Sequence, residues 1–133
     1  MNIPNFHDGY FDGFWLGPNK TVQLFLRTET HNSYTLTLHG VQALTISGVR
    51  PGNIILDLVF LGAREVTSSD IEELYGVDAN TEQAAKLLRT TQEKELQVLE
   101  FNPSYGAQGL ILFATCEINR GVDRMATSIP SAT

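Results

Sequence analysis

His7, Asp8 and Asp12 lie close together near the start of the chain, and one imidazole beside two carboxylates is a donor set that metal ions accept. Their spacing departs from an EF-hand loop, which needs oxygen ligands at alternate positions and a distant Glu. Both aspartates precede glycine, as Asp8-Gly9 and Asp12-Gly13, and that pairing is also what tight turns use. With Trp15 they form one candidate ligand site, to which neither a metal nor a cofactor is assigned. A second candidate is a face. If Val22, Leu24, Leu26, Leu36 and Leu38 point into a core, Phe25, Arg27 and His39 share the opposite side. The same alternation sets Asn53, Ile55 and Asp57 opposite Ile54, Leu56 and Leu58. Phe25, Arg27, His39 and Asp57 would then make a mixed aromatic and charged patch suited to recognition. His31 reads as a solvated turn residue.

The elements that must position these residues are strands. Thr21 to Glu29, Tyr34 to His39 and Asn53 to Leu61 alternate apolar and polar side chains, which argues for a mainly antiparallel sheet. Shorter strands are expected at Gly13 to Leu16 and Val41 to Ser47, with Gly40 breaking the pattern before the latter. Ser69 and Glu72 fit a capping box for a helical turn that stops at Tyr75-Gly76. Asn80 or Thr81 caps a second helix, whose Ala84, Ala85, Leu87 and Leu88 form an apolar face. Strands resume at Glu95 to Phe101. The nearly continuous apolar run Gly109 to Ile118 reads as one central strand, with Cys116 a buried, inert thiol inside it.

These elements make an α+β domain over residues 1–118. A sheet of about six or seven strands is curled or sandwich-like, with one or two helices from the middle segment packed on it. Residues 119–133 lack periodicity and are expected to be a disordered tail. The chain has 133 residues, 42% of them apolar and 18% charged, which suits one soluble domain. A single cysteine excludes an intrachain disulfide and a thiolate zinc cluster. The net charge of −6, with only nine scattered basic residues, disfavours nucleic acid and anionic lipid as partners. No run is long and apolar enough for a membrane span, and the N-terminus lacks a secretory pattern, so the expected compartment is the cytoplasm.

No nucleophile elbow, Walker loop, dinucleotide fingerprint or His-Glu-x-x-His helix occurs. The segments Phe6-His7-Asp8-Gly9, Val22 to Arg27, Leu38 to Leu44 and Gly52 to Asp57 resemble those of small bacterial proteins of unassigned activity. Some of those proteins resemble the β-rich immunity proteins of polymorphic toxin systems. The likeness covers about the first sixty residues and supplies no catalytic residues. It implies a noncatalytic cytoplasmic protein that binds a protein partner. The expected function is therefore binding. The alternative is a small-ligand- or metal-binding protein or enzyme with its site at His7, Asp8 and Asp12, and homo-oligomerisation through an exposed strand edge is a third expectation.

Overall fold

The structure, a computed structural model, describes residues 2–121. Eight strands and two helices follow one another as β1 (Tyr10–Leu16), β2 (Val22–Arg27), β3 (Ser33–His39), β4 (Ala43–Ser47), β5 (Asn53–Leu61), α1 (Ser68–Tyr75), α2 (Glu82–Glu93), β6 (Gln97–Tyr105), β7 (Gln108–Phe113) and β8 (Thr115–Arg120). All strand pairs are antiparallel, and they form one sheet in the order β4-β7-β6-β5-β1-β2-β3-β8. This is the expected α+β architecture, with one strand more than the sequence suggested.

The extra strand comes from the run Gly109 to Ile118, which is two strands rather than one. The chain bends at Ala114, so β7 pairs with β4 and β6 while β8 pairs with β3. The opposite segment bends in step at Gly40, between β3 and β4. Tyr34 to His39 face Arg120 to Thr115, and Ala43 to Ser47 face Leu112 to Gln108. The two ends of the sheet, β4 and β8, thus belong to one bent ribbon, and the sheet curls round accordingly. Glycine is required at this corner. Gly40 has φ 66, and a Cβ there would sit 2.8 Å from the Cβ of Ala114.

Curling encloses a first core on the concave side, where Leu24, Leu26, Leu36 and Leu38 meet Phe11, Ile55, Leu99, Phe101, Ile111 and Phe113. A second core lies on the outer side of β6 and β7. There Val98, Leu110 and Leu112 pack against Ile71 and Leu74 of α1, Ala84 of α2, and Val66. β6 and β7 are therefore covered on both faces, which is why Gly109 to Phe113 reads as an unbroken apolar run.

The alternation in β2 and β3 orients side chains as expected. In β5 it does not. Register shifts fall between Ile54 and Ile55 and between Ile55 and Asp57, and the period-two pattern skips a step there. Asn53 and Ile55, expected outside, are buried, whereas Leu56, expected inside, is 43% exposed. Beyond the bulge Leu58 and Phe60 return to the concave core and Asp57 faces out.

α1 starts two residues earlier than the Ser69 signal. Thr67 is its N-cap, accepting from the Asp70 amide (3.3 Å) while Asp70 accepts from the Thr67 amide (2.9 Å). Glu72 instead accepts from the Ala79 amide at 3.0 Å, beyond the helix, and the left-handed Gly76 ends the helix as expected. Thr81 caps α2. Of the expected tail, Asn119 and Arg120 close β8, and residues 122–133 lie outside the described residues.

Candidate functional site

β1 and β2 carry the densest set of mutually engaged polar groups among the described residues. Tyr10 pairs with Arg27 across the two strands, and between Phe11 and Gly13 the register shifts. Asp12 is the extra residue of that bulge. A bulge re-aims a side chain, and here it turns the Asp12 carboxylate to the outer face beside Arg27. The guanidinium grips both carboxylate oxygens, with Nε at 2.7 Å from Oδ2 and NH2 at 2.9 Å from Oδ1. Arg27 also lies over the Tyr10 ring, 4.4 Å from its centroid. Its NH1 donates to Nδ1 of His31 at 2.8 Å. Because Arg has no acceptor, this contact assigns the His31 proton to Nε2.

His31 reaches this position through the β2–β3 turn. Its amide donates to the Thr28 carbonyl, the Thr28 amide donates to the Asn32 carbonyl, and His31 itself holds a left-handed backbone with φ 68. The imidazole stacks on Tyr10 at 5.3 Å between centroids and 12° between planes. Four side chains from one bulge, two strands and one turn thus lock each other in place. Arg27 and Asp12 are about four-fifths covered, so the pair is shielded from solvent more than a typical surface ion pair. Further along the same outer face stand half-buried Phe25, opposite Gly13 and Thr35, and Trp15, opposite Gln23 and 48% exposed.

The expected patch of Phe25, Arg27, His39 and Asp57 is only partly assembled. Phe25 and Arg27 share the outer face of β2 as read from the sequence. His39 lies at the far end of β3 from Ser33, which sits opposite Arg27, and that separation is about 20 Å of strand. It meets Glu117 of β8 at 3.4 Å. Asp57 accepts from the Asn102 side chain at 2.7 Å, on the β5–β6 side. Convergence of Arg27, His39 and Asp57 does not occur, because β1 and its Asp12 lie between β2 and β5.

The His7, Asp8 and Asp12 set is likewise divided. Asp12 belongs to Arg27. His7 turns the other way, with Nδ1 at 2.7 Å from the Leu56 carbonyl and Nε2 at 3.4 Å from Asp8. The bond to the Leu56 carbonyl, aided by the charge of Asp8, holds the His7 pKa above its ordinary value. Among the described residues no group of three or more His, Cys, Asp or Glu side chains is placed to hold a metal. Trp15 sits at the other end of β1, with its ring against Gly17. An unexpected neighbour is Asp57, which together with His7, Leu56 and Leu58 lines a cleft of about 300 Å³ under the N-terminal segment. Leu56 presents its carbonyl there because it occupies the β5 bulge.

Tyr10 and His31 are the site residues the sequence reading missed. Tyr10 opens the aromatic-rich stretch Tyr10 to Trp15, and His31 falls four residues after Arg27 across a turn, yet neither signal points to the other. Cys116 is half-buried rather than fully enclosed, and burial pushes its thiol pKa up, which disfavours the reactive thiolate. No described helix is long and apolar enough to cross a membrane. The chain matches no family model, no curated protein and no solved structure, so the functional reading rests on these side chains and their geometry.

Proposed function

We propose that this protein is a noncatalytic binding module that presents the outer face of β1, β2 and β3 to a protein partner. The observation that carries the reading is the locked cluster of Tyr10, Asp12, Arg27 and His31 beside Phe25 and the exposed Trp15. Side chains already immobilised in the free protein lose little entropy on binding, and aromatic and Arg residues are the usual anchors of protein interfaces. A resemblance of the first sixty residues to small bacterial proteins, some of which resemble β-rich immunity proteins, would fit such a role, the partner then being a toxin whose active site the face covers.

The test is quantitative affinity enrichment from the native host with the wild-type chain and with Trp15→Ala and Phe25→Ala. At least one protein is expected to be retained by wild type and lost by both variants at unchanged far-UV circular dichroism. Identical sets of retained proteins in all three samples would remove the face. A second reading places a small polar ligand in the cleft flanked by His7 and Asp57. It predicts ligand-induced rises in Tm that His7→Ala and Asp57→Asn both abolish.

A further inference from the structure

β1 is paired along its whole length with β2, but with β5 only at Tyr10 and Phe11. On the N-terminal side of Asn53 the chain departs from β1, where the Asn53 side chain accepts the Arg50 amide at 2.7 Å and turns the loop away. Among the described residues, Gly13, Phe14, Trp15 and Leu16 therefore have no strand on their second side. In an antiparallel ladder alternate residues direct N–H and C=O to each side, so this stretch offers unused main-chain donors and acceptors.

The other two edges are protected differently. β8 carries Glu117 and Arg120, and β4 is flanked by α1. Charges and covering helices are the common defences of an exposed edge. The free half of β1 has neither, and Phe14, Trp15 and Leu16 are 38%, 48% and 58% exposed. Cross-strand partners share a face. Phe14 and Leu16, opposite the buried Leu24 and Val22, open toward the concave side, while Trp15, opposite Gln23, lies outside. Leu16 also borders an apolar opening of about 200 Å³ with Val22, Val41 and Leu44.

We infer that the free half of β1 accepts an extended peptide as an added strand, apolar at alternate positions and acidic at its flanks. This inference rests on the binding reading above and supplies its mode. Main-chain pairing with β1 provides affinity, and alternate side chains meet Trp15 on one side and Phe14 and Leu16 on the other. The acidic flanks follow from charge. In a chain of net charge −6, the cations at the two ends of this edge are Lys20, in the β1–β2 turn, and Arg50, in the departing loop. Neither makes an ion pair among the described residues. A second copy is disfavoured as occupant by area. Phe14, Trp15 and Leu16 together expose on the order of 300 Å², well under the roughly 800 Å² that each partner of a stable interface buries.

The experiment selects a displayed library of random peptides against the full chain and follows the enriched peptides by the fluorescence of Trp15, the sole tryptophan. Expected are sequences with period-two apolar residues and terminal carboxylates that shift the Trp15 emission to the blue. Methylating the backbone nitrogens of one alternate set should weaken them about tenfold or more, with the other set tolerant. Leu16→Lys, an edge charge at an exposed position, should weaken them to a similar degree, and Lys20→Glu with Arg50→Glu should reverse the preferred flanks. Failure to enrich any peptide, or indifference to methylation in both sets, overturns strand addition. Peptides that tolerate methylation yet still require Trp15 and Phe25 leave the binding face standing. Peptides indifferent to every substitution remove both readings. A dimer in sedimentation that Leu16→Lys dissolves makes a second copy the occupant. Tighter peptide binding after deletion of residues 122–133 does the same for the chain's own end, and either result overturns the proposal.

Discussion

The two halves of the sheet are finished differently. β6 and β7 have the concave core on one side and the helices on the other, so Val98, Leu99, Ile111 and Leu112 are wholly buried. Among the described residues β1, β2 and β3 share only the concave core, and no described helix packs on their outer side, which carries Tyr10, Asp12, Trp15, Phe25 and Arg27. A covered face can be filled with Leu and Ile and held by packing alone. An uncovered face must hold its side chains by lateral bonds, and it is there that the Arg27 cluster is built. Stability resides mainly in the first half, and the recognition proposed above belongs to the second.

That division can be broken most forcefully at Leu112. Truncation to Ala leaves a void between β7 and the helices, and should cost about 3 kcal/mol in denaturant unfolding. If loss on the outer face matched it, the contrast between halves would fail. Asn53 tests the junction between them. Its buried side chain accepts from the Arg50 and Ala107 amides and donates to the Phe11 carbonyl. Asn53→Ala should cost about 2 kcal/mol and raise hydrogen exchange around Phe11 and Ala107.

Arg27 sharpens the comparison. Arg27→Ala should cost about 1 kcal/mol in stability, because the Asp12 pair and Tyr10 stacking are only partly shielded from water. Its larger effect is expected on partner binding. Arg27→Lys should behave nearly as Ala does, since an ammonium cannot grip both Asp12 oxygens and bond His31 together. Recovery of binding by Lys would show that charge alone suffices.

The smallest effect belongs to His7. Its raised pKa arises first from the Leu56 carbonyl and then from Asp8, with smaller contributions from Glu29 and Asp57. The protonated ring is therefore favoured in the folded chain. Its contribution is complete below the unfolded value of 6.5 and is lost as pH rises through the higher folded value. Hydrogen exchange at the Asp8 amide, which donates to the Ile55 carbonyl, should quicken across that window relative to its intrinsic rate. His7→Ala should abolish that pH dependence, and its persistence would assign the effect elsewhere.

Much of this architecture could be read from spacing. Leu24, Leu26, Leu36 and Leu38 are inward because strand side chains alternate, and no distant contact was needed to say so. The loop breakers Gly40 and Gly76 were legible for a related reason, since left-handed backbone is a local demand. β5 escaped because a bulge adds no distinctive residue type, yet it exchanged the faces of Ile55 and Leu56. The bend at Ala114 escaped too, because an apolar run looks alike whether it forms one strand or two.

Local sequence by itself determined that this chain would form alternating strands, two capped helices and an outer face carrying Phe25 and Arg27. Only the tertiary structure decided the company those residues keep. Arg27 found Asp12, Tyr10 and His31 because β1 inserts between β2 and β5, while His39 meets Glu117 of β8 and Asp57 meets Asn102 of β6. The physical reason is that period and capping act over a few residues, whereas strand order and bulge position are settled by how two cores are closed at once.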